Sequence, residues 1–368
     1  MMRVMVTGAT GFMGRNLMLR LSESKWGQAV PFVRDVSSIR DILSSVDAIV
    51  HLAGVNRPSD PVEFMIGNVD LTQRICDVLS DLGRSVPIVF ASSIQAERDN
   101  LYGRTKRNAE EILRQYGASQ GSPIYVFRLP NVFGKWCRPN YNSVVATFCH
   151  NIPRDLPIRI DDPSAKLKLV HIDDVIDKFL GILSSKGEPE PQMRVEPEYE
   201  ATVGELASLI RSFHEGRETL TIGRVGAGLP RALYSTYVSY LPVEKFSYPI
   251  KRFADERGSF VEMLKTVDSG QFSFFSAFPG VTRGGHYHHT KTEKFLVIRG
   301  EARFQFRNLL TSECHELRTS GSNPEIVETV PGWVHDITNV GTDEMLVMLW
   351  ANEVFDRMRP DTFSSVIR

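Results

Sequence analysis

The chain has 368 residues, with 43 Lys and Arg against 44 Asp and Glu and a formal net charge of -1. That length suits two domains, each large enough for its own core, and the balanced charge predicts no attraction for nucleic acid or an anionic membrane surface. The four cysteines form no Cys-x-x-Cys pair, so neither a disulfide framework nor a zinc finger is expected. The N-terminus lacks a signal-peptide pattern and no apolar run approaches a membrane span. We therefore expect a cytoplasmic protein whose partner is a small molecule.

The first half of the chain alternates short apolar strands with helical patterns, as a parallel sheet built from βαβ units requires. The predicted strands lie at 3–6, 29–33, 48–52, 88–91 and 124–128. Helical spacing of apolar residues predicts helices between them, at 15–22, 69–82 and 105–115. The expected fold class here is α/β, with a doubly wound Rossmann-type parallel sheet.

A glycine-rich turn follows the first predicted strand, with Gly8, Gly11 and Gly14 three residues apart. Such glycines let the backbone approach a pyrophosphate while the following helix directs its N-terminus at the charge, although a tight turn without a ligand would use them too. Arg34 follows the second predicted strand, where a guanidinium suits the 2′-phosphate of NADPH, whereas the neighbouring Asp35 would suit NADH. We expect NADPH as the cofactor, against the alternative that Arg34 is a surface charge.

Tyr102 and Lys106 stand four residues apart in a predicted helix, so the ammonium lies one turn from the phenol. A tyrosine with an ordinary pKa near ~10 needs about 4 kcal/mol of electrostatic help to act as an acid or base at neutral pH. Lys106 and the nicotinamide charge would supply that help, and Ser93 is placed to hydrogen-bond a reacting carbonyl. Because Tyr-x-x-x-Lys also occurs in surface helices, the prediction depends on the accompanying glycine-rich turn.

Beyond residue 247 the pattern changes to short apolar runs separated by Gly, Pro and charged turns, which predicts an all-β barrel or sandwich. The runs include 272–275, 295–298, 304–306, 326–330 and 345–349. We expect two domains, 1–246 and 247–368. Residues 184–228 hold a predicted helix at 206–213 and no clear boundary.

Four possible metal ligands lie in the second predicted domain. His286 and His288 alternate on a predicted strand and so share one face, Glu293 follows on the next strand, and His335 comes from later in the chain. Three imidazoles and a carboxylate inside a barrel suit Zn²⁺, Mn²⁺ or Fe²⁺. A lone histidine on a strand is more often simply hydrogen-bonded, so the prediction depends on the spacing of the set.

The first domain resembles the extended short-chain dehydrogenase/reductase family. The resemblance is carried by Thr7-Gly-Ala-Thr-Gly-Phe-Met-Gly14, His51-Leu-Ala-Gly54, Asn68-Val69, Ser92-Ser93, Tyr102-x-x-x-Lys106, Arg128-Leu-Pro-Asn-Val-Phe-Gly134 and Val170-His-Ile-Asp-Asp-Val175. It implies a nucleotide-sugar substrate, a homodimer built on a four-helix contact, catalytic Tyr102 and Lys106, and an assisting Ser93. Only nine positions separate Ser93 from Tyr102, fewer than is usual for the family, so the resemblance describes the cofactor site better than the substrate site.

The same resemblance implies which residues contact the cofactor and the sugar. Together with Arg34, the NADPH set is Gly8, Gly11, Phe12, Met13, Gly14, Leu52, Ala53, Gly54, Tyr102, Lys106, Pro130, Asn131 and Val132. Ser93 and Asn131 are implied to contact the substrate.

The stretch from Gly280 to Gly300 resembles the first motif of the cupin family, G-x5-H-x-H-x4-E-x6-G, residue for residue. The second motif is matched in part, since Gly332-x-x-His335-x-x-x-Asn339 is present but the proline is adjacent to the glycine. The resemblance implies a double-stranded β-helix that holds a divalent metal, with zinc the expected ion, on His286, His288, Glu293 and His335.

A metal-free alternative comes from Asp255-Glu-Arg257-Gly-Ser-Phe260, which resembles the D-x-R-G-x-F element of the rhamnose-pathway 3,5-epimerases. In those cupin-fold enzymes an imidazole removes a proton beside a ketone and the arginine handles the nucleotide-sugar. The resemblance implies substrate contact for Arg257 and a catalytic base at His286 or His288. Lys294 is a candidate proton donor or, equally, a solvated charge at a strand end.

Both domains together resemble the bifunctional capsular and O-antigen enzymes that make UDP-2-acetamido-2,6-dideoxy-L-talose, with 134–143 and 233–242 as further shared stretches. That resemblance implies C3 epimerisation of a UDP-4-keto-sugar in the cupin domain, followed by NADPH-dependent reduction at C4. The alternative is a sugar reductase whose cupin domain is a non-catalytic, metal-stabilised binding or dimerisation module.

Overall fold

The structure is a computed structural model, and it describes residues 1–33, 39–56, 60–185, 189, 193–255, 258–261, 264–266, 270–353 and 358–367. Within 252–261, and at 265 and 271, only the backbone is described. The chain divides into two compact units, Met1–Cys137 with Leu167–Glu200, and Arg138–Lys166 with Ala201–Arg368. Within the described residues, no helix is both long and apolar enough to cross a membrane.

The first unit is built on a five-stranded sheet with the order β2-β1-β3-β4-β5, and every pair in it is parallel. Its strands are β1 (Met2–Thr7), β2 (Gly27–Phe32), β3 (Ala48–His51), β4 (Ile88–Ser93) and β5 (Ile124–Leu129). A shorter parallel pair is formed by β6 (Asn131–Phe133) and β7 (Lys166–His171), and β8 (Tyr199–Thr202) follows later in the chain.

Helices connect these strands, as βαβ units require. They are α1 (Phe12–Glu23), α2 (Ile39–Ser45), α3 (Val62–Met65), a π-helix at Ile66–Asp70, α4 (Leu71–Asp81), a 3-10 turn at Ile94–Glu97, α5 (Leu101–Gln120) and α7 (Ile172–Ser185), with α6 (Val144–Asn151) in the second unit. The start of α5 is fixed by Asn100, whose side chain accepts a hydrogen bond from the Gly103 N–H at 2.8 Å.

Two apolar cores cover the two faces of the parallel sheet. Val4 and Val6 of β1 belong to one core, which includes residues of α1 and α7, whereas Met5 between them belongs to the other, with residues of α2, α4 and α5. Successive strand residues face opposite sides of a sheet, so this division is the one that a sheet covered on both faces requires. The carboxyl ends of the strands are left for the functional site.

Among its described residues the second unit contains further helices, two five-stranded antiparallel sheets and two shorter strand pairs. Its helices are α8 (Val203–Thr219) and α9 (Gly228–Ser239), and a capping box of Thr202 and Glu205 begins α8. Its strands begin with β9 (Thr221–Ile222), β10 (Ser247–Pro249), β11 (Arg252–Asp255), β12 (Gly258–Val261), β13 (Lys265–Thr266) and β14 (Gln271–Ala277). The remaining strands are β15 (Thr282–Tyr287), β16 (Glu293–Arg299), β17 (Glu301–Asn308), β18 (Cys314–Ser320), β19 (Glu325–Glu328), β20 (Trp333–Asn339), β21 (Met345–Ala351) and β22 (Phe363–Ser364).

The two five-stranded sheets have the orders β10-β19-β16-β21-β14 and β18-β17-β20-β15-β22. Alternate residues of β16 and β17 meet between them, as the contact of the Phe295 and Phe304 rings at 5.7 Å illustrates. Phe246, Phe306 and Trp333 add further edge-to-face ring contacts. The space between the two sheets is therefore a packed aromatic core.

The predicted fold class is confirmed: a Rossmann-type parallel sheet is followed by an all-β region. All five predicted strands of the first half are present, and the helix predicted at 105–115 extends over Leu101–Gln120. The two compact units are not continuous in sequence, as the predicted domains are, because residues 138–166 and 201–246 group with the all-β region. The boundary at 246/247 stays a prediction.

Candidate active site and metal site

The glycine-rich turn joins β1 to α1. Gly8 has a φ of +66°, in the left-handed region, and a Cβ on Gly14 would lie 2.1 Å from the Gly8 carbonyl oxygen. A Cβ on Gly8 would lie 2.9 Å from the Ala53 nitrogen, so the turn also packs closely against the loop after β3. Phe12 and Met13 form the first turn of α1 and are half-buried. The predicted cofactor residues of both segments are thus brought together.

A buried chain of hydrogen bonds fixes the loop after β3. The backbone N–H groups of residues 52 and 53 both donate to the Thr7 hydroxyl at 3.0 Å, so that hydroxyl donates to His51 Nδ1 at 2.6 Å. His51 Nε2 then donates to the Thr72 hydroxyl at 2.9 Å, which donates to the Asn68 carbonyl. Burial, and secondly the charge of Lys106, lowers the pKa of His51 to about 3, which keeps the ring neutral.

Asn68, in the π-helix, connects that loop to α5. Its side chain accepts from the Val55 N–H at 2.8 Å and donates to the Val55 carbonyl and to the Thr105 hydroxyl of α5. A Cβ on Gly54 would lie 2.9 Å from Asn68 Oδ1 and 3.1 Å from Lys106 Nζ. The loop therefore lies between the glycine-rich turn and Lys106, where a dinucleotide would contact both.

Ser93, Tyr102 and Lys106 are also brought together. Lys106 is buried in α5 and donates to the Ala91 carbonyl at 3.0 Å, near the end of β4, with Ser93 as the last residue of that strand. Burial raises the pKa of Tyr102, and a hydrogen bond with Ser93 opposes that shift. Burial lowers the pKa of Lys106 to about 8, and the charge of Glu110 opposes it. Tyr102 is therefore protonated at neutral pH, as a general acid must be.

The neighbouring serine has a different role. Ser92 donates to the buried Glu110 at 2.5 Å, and Glu110 also receives Arg128 at 2.7 Å. This pairing turns Ser92 away from Tyr102, so only Ser93 of the pair faces the phenol.

The segment 130–132 follows β5 beside the end of β4, since Leu129 pairs with Ser93. Asn131 donates to the Lys168 carbonyl at 3.0 Å, and Val132 packs against the sheet core. Just after it, the buried Lys135 ammonium lies 2.8 Å from the Asp173 carboxylate. That ion pair anchors the segment after β6 and gives a structural role to Asp173, the first aspartate of the motif 170–175.

The four predicted metal ligands form one cluster. Donor atoms of His286, His288, Glu293 and His335 lie within 4.8 Å of one another. His288 Nε2 is 3.2 Å and His335 Nε2 is 3.7 Å from Glu293 Oε2, while the Lys291 ammonium is 2.8 Å from Glu293 Oε1. His286 is half-buried and the other three ligands are buried, so the cluster opens at His286.

The electrostatics of the cluster suit a divalent cation. Burial, and then the neighbouring imidazoles, lowers the pKa of His286 to about 4, and burial lowers that of His335. Burial alone would raise the pKa of Glu293, but its contacts with His288 and His335 hold it well below the ordinary value. Neutral imidazoles and a carboxylate are a ligand set for zinc, and His335 Nε2 is a buried atom without a hydrogen-bond partner in the described part of the chain. The residues therefore fit the expected metal.

Lys294 does not join this cluster. It follows Glu293 on β16 and so points to the opposite face of the sheet, where its ammonium contacts Glu328 and donates to the Tyr248 hydroxyl at 3.1 Å. Glu328 also contacts the Arg217 guanidinium of α8. The structure thus places Lys294, the predicted proton donor, in a buried ion cluster. The alternation of side chains along β16 was the sequence signal that could have separated it from Glu293.

Two predicted site residues, Arg34 and Arg257, lie outside the described residues. Sequence reasoning gave no role to Thr7, although it begins the motif 7–14, and it missed Thr72, which follows the motif at 68–69 and carried no spacing signal of its own. It also missed Asp361, which receives three backbone N–H groups from the loop between His288 and Glu293.

Comparison with known families and structures bears on both parts of the chain. The model of the NAD dependent epimerase/dehydratase family matches residues 4–195, which is more than half of the chain. The chain belongs to this family. A second family model, Polysaccharide biosynthesis C-terminal domain, matches residues 253–363. The resemblance predicted from the motifs is confirmed for the whole chain.

Three similar proteins are compared with this chain by identity, coverage and, for solved structures, TM-score. UDP-2-acetamido-2,6-beta-L-arabino-hexul-4-ose reductase of Pseudomonas aeruginosa is 59% identical over 365 residues, covering 99% of this chain and 98% of that one. The crystal structure of the capsular polysaccharide assembling protein CapF from Staphylococcus aureus is 38% identical with a TM-score of 0.68, covering 99% of this chain and all of that one. RMD from Pseudomonas aeruginosa complexed with NADPH, 23% identical with a TM-score of 0.51, covers 58% of this chain and 83% of its own, and shares the fold of that part.

Proposed function

We propose that the chain is an NADPH-dependent reductase of a UDP-2-acetamido-2,6-dideoxy-4-keto-hexose, acting on the ketone at C4. The observation that carries this proposal is the grouping of Ser93, Tyr102 and Lys106 beside the glycine-rich turn. The substrate class is supported by the full-length similarity to a UDP-sugar reductase. NADPH when bound would supply the hydride.

The surroundings of each side chain set its role. Ser93 donates a hydrogen bond to the ketone oxygen, and Tyr102, kept protonated by burial, gives its proton to that oxygen as C4 is reduced. The Lys106 ammonium stabilises the tyrosinate that is left, which then regains a proton from solvent. One ketone, one hydride and one proton give the alcohol, so no further reactant is needed.

The test is oxidation of NADPH by the full-length protein with the UDP-4-keto sugar. Tyr102→Phe removes the proton donor and is expected to lower kcat by roughly 10²- to 10⁴-fold while leaving NADPH affinity within about twofold. Tyr116→Phe is the matched control on the same helix, because the Tyr116 hydroxyl donates to the Arg84 carbonyl away from the site. Equal rates for wild type and Tyr102→Phe would refute the assignment.

We further propose that the C-terminal cluster epimerises C3 before the reduction, giving UDP-2-acetamido-2,6-dideoxy-L-talose for N-acetyl-L-fucosamine and surface polysaccharide synthesis. The supporting observation is that the cluster opens at His286, where a sugar can approach an imidazole that burial keeps neutral. A C4 ketone acidifies the C3 proton, so an imidazole that is not bound to a metal can remove it and return it to the other face. Reduction at C4 then removes the ketone and traps the epimer.

The test of epimerisation uses deuterium and omits NADPH. In D₂O the wild-type chain and Tyr102→Phe should both exchange the C3 proton of the substrate, whereas His286→Gln should not. If His286→Gln exchanges at the wild-type rate, the cluster is a metal-stabilised binding or dimerisation module instead.

We propose that His286, His288, Glu293 and His335 hold a divalent metal, zinc being the expected ion, since their donor atoms converge in one place. A cation there would polarise a bound oxygen atom. Exchange measured before and after chelation decides between a metal-dependent site and a metal-free imidazole base.

The remaining proposals concern assembly and domain limits. We propose a cytoplasmic homodimer, with the reductase domain at 1–246, NADPH preferred over NADH, and the epimerase domain at 247–368. Light scattering on the purified chain measures the dimer, and a monomer mass at micromolar concentration would contradict it.

A further inference from the structure

Asp361 holds the loop between two of the clustered ligands, although it lies some seventy residues further along the chain. Its carboxylate accepts the backbone N–H groups of His289, Thr290 and Lys291 at 2.9, 2.7 and 2.7 Å. It also accepts the Thr290 hydroxyl at 3.0 Å. Three consecutive N–H groups on one carboxylate fix the path of the backbone from His288 towards Glu293.

The backbone of Asp361 makes a second contact, with a ligand itself. His288 Nδ1 lies 2.5 Å from the Asp361 carbonyl oxygen, and a carbonyl can only accept, so Nδ1 carries the proton. Nε2, which faces Glu293 at 3.2 Å, is then the nitrogen that would offer its lone pair to a bound cation. A hydrogen bond of this kind sets the tautomer and the ring orientation of a metal-binding histidine.

The chain after Asp361 continues along the strand that carries His286. In β22, Phe363 and Ser364 pair with Tyr287 and His286 of β15, and the Phe363 and Tyr287 rings stack at 5.5 Å. The Ser365 N–H donates to the Gly285 carbonyl at 2.8 Å. We call residues 361–366 the C-terminal clasp, because this segment closes over β15 and the loop that follows it.

We propose that Asp361 is a positioning residue for the metal: its side chain anchors the 289–291 loop and its carbonyl orients His288, so that the clasp controls how tightly the cation is held. The inference rests on the proposed metal site. A carboxylate that accepts three consecutive N–H groups restrains the 289–291 loop, and removing its charge leaves those donors facing an amide.

The test measures zinc affinity of the full chain in competition with a chromophoric chelator. Asp361→Asn keeps the size of the side chain but loses the anionic acceptor, and we expect zinc affinity to fall roughly 10- to 100-fold, as for other residues that orient metal ligands. Asp361→Glu should restore part of that loss. Asp343→Asn, at an exposed position of the same unit, is the matched control and should bind zinc as the wild type does.

Two further readouts separate positioning from plain stability and from failure of the metal site. In nitrogen NMR of the zinc-loaded protein, the Nδ1–H of His288 should exchange faster with water in Asp361→Asn, because a loosened clasp no longer holds its carbonyl acceptor in place. A variant with a lower Tm in the metal-free state but wild-type zinc affinity overturns the inference, because Asp361 would then only stabilise the fold. If the wild type itself retains no zinc, the proposed metal site is wrong. If the wild type binds zinc, His335→Ala does not and Asp361→Asn binds it as the wild type does, the metal site stands and only the role of Asp361 is wrong.

Discussion

Gly14→Ala tests the glycine-rich turn by a clash that the structure measures directly. The added Cβ would lie 2.1 Å from the Gly8 carbonyl oxygen and 2.7 Å from Ala9 Cα, and both atoms belong to the backbone. Since non-bonded atoms prefer roughly 3.5 Å or more, the turn must open by more than about 1 Å. The Gly8 carbonyl also accepts the Gly11 N–H at 2.9 Å, so the opening breaks a hydrogen bond within the turn.

The magnitude follows from overpacking at a rigid site, which typically costs about 1–3 kcal/mol of the free energy of unfolding. The same displacement moves the N–H groups that would face the pyrophosphate. If the whole cost appears in binding, NADPH affinity falls by roughly 5- to 150-fold, because about 1.4 kcal/mol corresponds to a factor of ten.

The assay is titration of NADPH fluorescence, with urea unfolding measured on the same samples. Gly181→Ala is the control, since Gly181 is exposed in α7 and a Cβ there meets nothing within 4 Å. It should leave NADPH affinity unchanged and stabilise the fold by up to about 1 kcal/mol through helix propensity. Wild-type NADPH affinity in Gly14→Ala would refute the assignment of this turn to the cofactor.

Four further predictions concern pH, the buried ion cluster and the metal. Folding lowers the Lys106 pKa from 10.5 to about 8, so between these pH values the unfolded chain binds more protons than the folded chain. The free energy of unfolding of the wild type should therefore rise with pH across this window, relative to that of Lys106→Met, as urea midpoints measure. The kcat/KM for the reduction should fall as pH rises through about 8, because the ammonium is lost. Glu328→Gln leaves Arg217 and Lys294 buried without their counter-charge and should destabilise the chain by about 3–5 kcal/mol in urea unfolding, whereas Glu325→Gln, at a half-buried position on the same strand, should cost under about 1 kcal/mol. Chelation should remove one divalent ion per chain and lower the Tm, and His335→Ala should no longer respond to added zinc.

Each of these has an outcome that contradicts it. A stability difference between wild type and Lys106→Met that does not change with pH would mean that Lys106 keeps its ordinary pKa in the fold. A small loss for Glu328→Gln would mean that water reaches the cluster. An unchanged Tm after chelation, with metal measured as absent, would show that the four ligands do not depend on an ion for their arrangement.

Local patterns determined much of the site. The glycines at 8, 11 and 14, the Tyr102–Lys106 spacing and the alternation of His286 with His288 are short-range features, because helices and strands repeat over three or four and over two residues. Strand alternation also separates Glu293 from Lys294, although the sequence interpretation placed both at one site. Spacing predicts which residues share a face, and this is sufficient for motifs within one element.

Only the tertiary structure decided which distant residues complete the site. The loop after His288 is held by Asp361, and the counter-charge of Lys294 is Glu328, which it shares with Arg217 of another element. His51 is neutral because burial, and secondly the charge of Lys106, lowers its pKa, and the hydroxyls of Thr7 and Thr72 hold the ring in place. Burial and long-range pairing depend on how the elements pack, and the local sequence pattern of a single chain does not specify that packing.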